Sequence, residues 1–381
     1  MKRTATIGAG IFDGERLHHS RALLLHGENF AGIVDTNQIP SGYERSRVDG
    51  GTVLPGFIDL QVNGGGGVMF NDDPTLATVT KIAEAHACNG TRALLPTLIT
   101  DTRAKTEAAI EAATAAVKTG VPGVLGIHLE GPHLSTARKG AHDGALIRSM
   151  DDADEALLVA AAKALPNVMV TVAPESVSPE RIERLSKAGV IVSLGHTDCS
   201  FDTAAAAFAA GARCVTHLFN AMSQLGSREP GLVGAALQTG AVYAGLIADN
   251  VHVHAASMGA AIAGKKGPGR LFLVTDAMAT AGSSITQFML NDRQVTRQNG
   301  RLTLGDGTLA GADLTLQRAV SVLVEVAGVA REDALAMATS VPASLLRHAG
   351  PFGRFVEGQP ANLIRLEHSE DRQERHSTKD G

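Results

Sequence analysis

The chain has 381 residues, 44 % of them hydrophobic and 19 % charged, with 42 glycines, 11 Phe, 2 Tyr and no Trp. That composition excludes whole-chain disorder and a fibrous repeat, and it points to an aliphatic core large enough for a barrel or for two to three smaller domains. A net charge of −5 excludes the basic stripe that a nucleic-acid surface needs. Three widely spaced cysteines, Cys88, Cys199 and Cys214, read as thiols of a reducing cytoplasm rather than as a disulfide framework.

Residues 1–52 hold short strand-like pieces split at Asp13-Gly14 and Gly27, and residues 350–366 hold similar pieces around Gly358. Pieces from opposite ends of a chain can pair only if they meet, which predicts a small β-sandwich domain built from both termini. Met1-Lys2-Arg3 looks like the start of a leader, but the apolar stretch behind it is short and ends at Asp13-Gly14, so no targeting segment is expected.

From Val53 onward an aliphatic strand, a polar loop and an amphipathic helix alternate. The expected strands are 53–61, 93–99, 123–130, 168–174, 190–196, 214–220, 243–249 and 271–276, each a nearly continuous apolar run of the kind buried on both faces. Helices are expected at 75–89, 101–118, 151–165, 178–188, 314–328 and 331–340, with Ser178-Pro179 as a cap followed by proline at the first helical position. Eight such units predict an α/β chain folded as a (β/α)8 TIM-like barrel over residues 53–349. The alternative, a doubly wound open sheet, usually stops at about six strands. The charge-free run 231–248 contains four glycines and Gln238-Thr239, so it reads as a buried segment and no membrane association is expected. Residues 287–304 read as an antiparallel insertion turning at Asn291-Asp292 and Asn299-Gly300. The polar tail, 367–381, is expected to be disordered.

In such a barrel the carboxyl ends of the strands surround the active site. Polar residues there are Gln61, Asn63, Thr97, His128, Glu130, Glu175, His196, His217, Asn220, Asp249, His252 and Asp276. Glu130, His196 and His217, from the third, fifth and sixth strands, form a one-carboxylate, two-imidazole set suited to a metal that keeps an open position for water. Asp276, ending the eighth strand, can take a proton from that water and return it to a leaving group. His142, on a glycine-containing loop, can donate to a developing oxyanion. The run Asn63-Gly64-Gly65-Gly66-Gly67 lacks the spacing of a nucleotide loop. Arg228, beside Glu229, reads on its own either as a phosphate grip or as a solvated ion-paired side chain, the second being preferred.

Pro55-Gly56-Phe57-Ile58-Asp59, His128-Leu129-Glu130-Gly131-Pro132, Gly195-His196-Thr197 and Thr216-His217-Leu218-Phe219-Asn220-Ala221-Met222 resemble the amidohydrolase superfamily. With Arg228-Glu229-Pro230-Gly231, Thr275-Asp276-Ala277 and Leu309-Ala310-Gly311-Ala312, the chain is similar more narrowly to the N-acetylglucosamine-6-phosphate deacetylase family, from about Thr52 to Asn362. The resemblance implies hydrolysis of the acetamide of N-acetyl-D-glucosamine 6-phosphate in amino-sugar catabolism. It implies one divalent cation on Glu130, His196 and His217, with Zn2+ foremost and Fe2+, Mn2+ or Co2+ as alternatives. It makes Asp276 the base and then the acid, and His142 the group that polarises the carbonyl. Ala141, His142, Asn220, Ala221, Arg228, His252 and the segment Leu309, Ala310, Gly311 and Ala312 would bind the sugar phosphate. Because the phosphate-binding arginine of this family, matched here by Arg228, can come from a neighbouring subunit, a homodimer or dimer of dimers is implied.

Where many amidohydrolases place His-x-His after the first strand, this sequence reads Gln61-Val62-Asn63. Amides are poor ligands beside imidazole, so a single metal is expected. Two other readings are an amidohydrolase acting on a cyclic amide or ring amine, and a non-catalytic sugar-phosphate sensor.

Overall fold

A computed structural model describes residues 1–367; the tail expected to be disordered lies, from His368 on, outside the described residues. Eight parallel strands form one sheet in strict chain order: Phe57–Val62, Thr91–Ile99, Ile127–Glu130, Val168–Val172, Ile191–Leu194, Cys214–Val215, Tyr243–Leu246 and Leu271–Leu273. Almost every residue in them is buried, because the sheet is covered by helices outside and by its own packed interior within. That is why these segments read as unbroken aliphatic runs. The main hydrophobic core includes Phe57, Leu60, Leu129, Val170, Val192, Leu246 and Phe272.

Helices Leu76–Ala87, Arg103–Thr119, Asp152–Ala164, Pro179–Lys187, Phe201–Ala209, Gly231–Gln238 and Ala255–Gly264 connect successive strands, and Leu316–Glu325, Arg331–Met337 and Ser340–Leu345 follow the eighth. Local signals set their ends. Asp151 and Asp154 form a reciprocal capping box at the start of the third helix, and Gly120 stops the second in a left-handed conformation (φ 73°). Ser178 occupies the expected cap position before Pro179, yet its side chain makes no capping bond to the helix. The run 231–248 splits into a helix and the seventh strand, and among the described residues no helix is long and apolar enough to cross a membrane.

The first barrel strand starts later than its apolar run suggests. Thr52–Pro55 belongs to a different sheet, pairing with Gly10–Phe12 on one side and Leu363–Leu366 on the other. Pro55-Gly56 separates the two strands, and Gly56 is packed so closely that a Cβ there would lie 2.0 Å from the Arg92 side chain. A second sheet, Asn29–Asp35, Arg21–His26, Arg3–Ile7 and Glu44–Arg47, covers the first. Ala9, Ile11, Leu23 and Val53 fill the space between, with Phe30 stacked on Phe355. A β-sandwich drawn from both ends of the chain therefore sits beside the barrel.

The expected insertion is a four-stranded antiparallel sheet, Gln287–Leu290, Arg293–Gln298, Arg301–Leu304 and Leu309–Ala312. Its two tight turns carry positive φ at both central residues: Asn291 (49°) and Asp292 (58°), then Asn299 (52°) and Gly300 (71°). This is the geometry that matches the twist of paired strands. The fourth strand, Leu309–Ala312, lies beyond the expected insertion because Leu-Ala-Gly-Ala has little strand propensity. It is held by Thr303 and by a bridge from Ala312 to Ala277 at the barrel mouth.

At the opposite end of the barrel, Asn167 is fully buried just before the fourth strand. Its amide donates to the Leu125 and His348 carbonyls at 2.8 and 2.9 Å and accepts from the backbone of Arg347 and His348 at 2.9 and 3.1 Å. Asn167→Ala strands four backbone groups and should lower the unfolding free energy by about 3 kcal/mol, read from urea denaturation.

Candidate active site

The fifth, sixth and eighth strands end at Leu194, Val215 and Leu273. His196, His217 and Asp276 follow two or three residues later, with φ of 48°, 29° and 51°. Left-handed backbone at non-glycine residues is uncommon and is held in place by surrounding contacts. Here it bends the chain at the strand end, and the three side chains line one cavity together with Glu130, the last residue of the third strand. The cavity has a volume of about 410 Å³, within the range of small-molecule sites. His142, Ala141, Asn220, Ala221 and His252 form its walls, and Leu309 and Gly311 of the inserted sheet close one side.

Glu130 is 2 % exposed and lies at the centre of the donor atoms. Its Oε1 is 3.0 Å from His217 Nε2 and 3.3 Å from His196 Nε2, and those two nitrogens are 3.1 Å apart. Such separations match the edges of a tetrahedron whose centre lies about 2.0 Å from each donor. His196 Nδ1 donates to the Arg138 carbonyl at 2.9 Å, which in a neutral ring leaves the Nε2 lone pair facing the carboxylate. Two acceptors turned toward each other in a dry site call for a positive charge between them, and a divalent cation fits. Burial alone would raise the Glu130 carboxyl, but the two imidazoles hold it well below the usual range. His217 is raised in return, burial being outweighed by Glu130.

His142 also comes close: one donor atom each from Glu130, His142 and His196 lie within 4.8 Å of one another. Its hydrogen bonding separates it from the other two. The Thr100 backbone N–H donates to His142 Nδ1 (3.3 Å) and Thr100 Oγ1 lies 2.8 Å from the same atom. Nδ1 is therefore an acceptor, and Nε2, 4.0 Å from Glu130 Oε2, carries the hydrogen. Burial and the neighbouring His196 push its pKa down to about 3. His142 is thus a neutral donor pointing into the cavity.

Asp276 accepts from Asn63 Nδ2 at 2.6 Å and from Gln61 Nε2 at 3.1 Å; Gln61 Nε2 also lies 3.1 Å from Glu130 Oε1. Its enclosed position, and then the charge of Glu130, push the Asp276 pKa up to about 6. The two amides after the first strand therefore act as donors to the carboxylates of the site. His252 is fixed by Asp249, whose Oδ2 is 2.6 Å from Nδ1 and whose Oδ1 accepts from the Val251 and His252 backbone. That leaves His252 Nε2 for the cavity.

Several strand-end candidates face elsewhere. His128 is buried inside the barrel, donating from Nδ1 to the Leu60 carbonyl (3.0 Å) with Nε2 2.7 Å from Thr171 Oγ1, and burial lowers its pKa to about 4. Thr97 accepts from the Val62 N–H, and Glu175 braces Thr197 and Asp198. Arg228 is exposed and outside the cavity lining, while Glu229 accepts from Phe201 and Gly231 N–H groups. Ala310 and Ala312 are buried in hydrophobic clusters, so Leu309 and Gly311 alone of that segment meet the cavity.

Residues that the sequence does not single out complete the site. Thr100 sets the His142 tautomer, and Arg293 of the insertion donates to the Ala141 carbonyl. Asp154 receives Arg103 at 2.8 Å and Arg148 at 2.7 Å, tying down the base of the His142 loop. Asp59, fully buried beneath Asp276, is pushed up to about 7 by burial. Only Asp59 leaves a trace in the sequence, as a charge inside an apolar strand.

The amidohydrolase family model matches residues 52–376. An N-acetylgalactosamine-6-phosphate deacetylase of Shewanella sp. (strain ANA-3) is 43 % identical over 321 residues, which are 84 % of this chain and 80 % of that one. The crystal structure of N-acetylglucosamine-6-phosphate deacetylase from Pasteurella multocida superposes with a TM-score of 0.90 at 31 % identity, covering 96 % of both chains. A mutant of N-acetyl-D-glucosamine-6-phosphate deacetylase from Mycobacterium smegmatis, in complex with N-acetyl-D-glucosamine-6-phosphate, gives a TM-score of 0.87 at 31 % identity. That alignment covers 97 % of this chain and 96 % of the other.

Proposed function

The chain belongs to the amidohydrolase family, and we propose that it hydrolyses the 2-acetamido group of N-acetyl-D-glucosamine 6-phosphate, giving acetate and D-glucosamine 6-phosphate in amino-sugar catabolism. The observation that carries this reading is the buried Glu130, His196 and His217 donor set facing Asp276 across one cavity, in a chain whose relatives are named as deacetylases of such substrates. The 43 % identical relative is named for the galactosamine epimer, which supports a second reading with the same chemistry and a different sugar. Acetate release measured on both epimers decides between them through the ratio of kcat/KM.

Glu130, His196 and His217 would hold one divalent cation, with Zn2+ best suited to an N2O donor set and Fe2+, Mn2+ or Co2+ as alternatives. When bound, such an ion lowers the pKa of a water from 15.7 towards about 7 and polarises a carbonyl oxygen. Asp276, oriented by Asn63 and Gln61, accepts the proton of the attacking water. It then delivers that proton to the amine, which leaves poorly as an anion. His142 Nε2–H donates to the acetyl oxygen as negative charge builds. Asn220, Ala221, His252 and Arg228 hold the phosphate, and Leu309 and Gly311 lie along the sugar. An exposed Arg228 outside its own cavity favours delivery of that side chain to a neighbouring subunit, hence a homodimer. Free Cys88, Cys199 and Cys214 support a reducing, cytoplasmic setting.

His196→Ala and His217→Ala should each weaken cation binding by at least about 100-fold, while His142→Ala keeps the ion; plasma mass spectrometry of dialysed protein measures this. One ion per wild-type chain is expected, and two tightly held ions would contradict the donor role of Gln61 and Asn63. Asp276→Asn should fold, keep its metal and lose about 1000-fold in kcat. Acetate release should also be abolished by chelator and restored by added cation. Arg228→Ala should raise KM for the phosphorylated sugar while leaving the slow turnover of unphosphorylated N-acetylglucosamine unchanged.

A further inference from the structure

The eight strands hydrogen-bond in order from first to eighth, and the ladder ends there: Leu271–Leu273 pairs with the seventh strand, and the first strand with the second. Closure of the barrel falls to a few bonds above the short eighth strand. Asp276 N–H donates to the Gln61 carbonyl (3.1 Å), and Asn63 N–H donates to that of Ala277 (2.9 Å). Directly beneath lies Asp59, which has no exposed surface. Its Oδ1 accepts from Gln61 N–H and Thr275 N–H, both at 3.2 Å, and its Oδ2 accepts from Thr275 Oγ1 at 2.5 Å. One carboxylate thus joins both sides of the seam, where a ladder would otherwise do so.

The two residues it holds are the ones on which the chemistry turns. Gln61 carries the amide that donates to Asp276, and Thr275 precedes Asp276 in the chain. Asp276 itself has left-handed backbone, φ 51°, a conformation retained only where neighbouring contacts enforce it. We propose that Asp59 is a positioning residue for Asp276: acting through Thr275, it closes the seam at the height that aims the Asp276 carboxylate at the substrate. The proposal rests on the proposed role of Asp276. Asp59 does not line the cavity and makes no hydrogen bond to Glu130, His196 or His217, meeting Gln61 only through its backbone N–H, so its effect should fall on turnover rather than on metal or substrate binding.

The test uses metal-loaded Asp59→Asn, Thr275→Val and Thr275→Ser, with Asp276→Asn alongside. Acetate release from N-acetyl-D-glucosamine 6-phosphate, metal content and thermal midpoint are measured for each. Misplacement of a reacting group by about 1 Å costs on the order of 100-fold. Asp59→Asn and Thr275→Val should accordingly lower kcat by about 100-fold, with KM within about 2-fold and one ion per chain. Thr275→Ser, which keeps the hydroxyl, should recover most of the loss, and the double variant Asp59→Asn/Thr275→Val should be no worse than the poorer single one, as expected of residues acting as a unit. A lowered thermal midpoint with near wild-type kcat in Thr275→Val would make Asp59 a structural brace only and overturn the proposal, as would Thr275→Ser no better than Thr275→Val. Should Asp59→Asn fail to fold, the Thr275 pair decides alone. Full activity in Asp276→Asn would instead overturn the functional reading itself.

Discussion

Glu130 is the constraint around which the mouth of the barrel is organised. A carboxylate that is 2 % exposed cannot remain charged in a dry interior without compensation. The chain supplies two imidazoles and one amide within 3.0–3.3 Å of a single oxygen. The same enclosure, and then the charge of Glu130, raises the pKa of Asp276. A site that draws in a cation and a carboxylate ready to accept a proton are therefore two results of one arrangement. The helix-covered sheet makes this workable, since it fixes where each strand stops.

The barrel is legible because strands buried on both faces leave an unmistakable mark: runs such as Val168–Val172 and Ile191–Leu194 admit little polarity except at their carboxyl ends. That rule leads to Glu130, His196, His217 and Asp276. It also leads to His128, Thr97 and Glu175, which occupy similar places in the sequence and face elsewhere. For three of the four the difference lies in left-handed turns, at His196, His217 and Asp276, which no composition or period encodes. Val53–Pro55 reads as the head of the first barrel strand for a related reason. It is apolar because the sandwich buries it, and hydrophobicity does not say which of two cores a residue enters.

Residues whose part depends on partners far along the chain are harder to read. Thr100 matters because it meets His142 across 42 positions, and Arg293 because it reaches the Ala141 carbonyl 152 positions away. In the sequence Gln61 and Asn63 stand for ligands that are missing; in space they are donors that are present. Arg228 illustrates the reverse, since the motif draws attention to it while the fold leaves it in solvent.

The inserted sheet has a consequence of its own. It packs around Leu290, Val295, Leu302 and Leu304, a small core largely separate from that of the barrel, and it meets the cavity through Thr308, Leu309 and Gly311. Glu130, His196 and His217 stand at or just past strand ends, while Asp276 touches the inserted sheet only through its backbone, its carbonyl accepting from the Ala312 N–H at 3.0 Å. Changes in the hairpins can therefore reshape one wall of the cavity without replacing any of those four side chains. The wall and the polar cluster thus come from different parts of the chain, joined at the Ala277–Ala312 bridge, so the shape of the cavity can vary in sequence while its polar cluster stays the same.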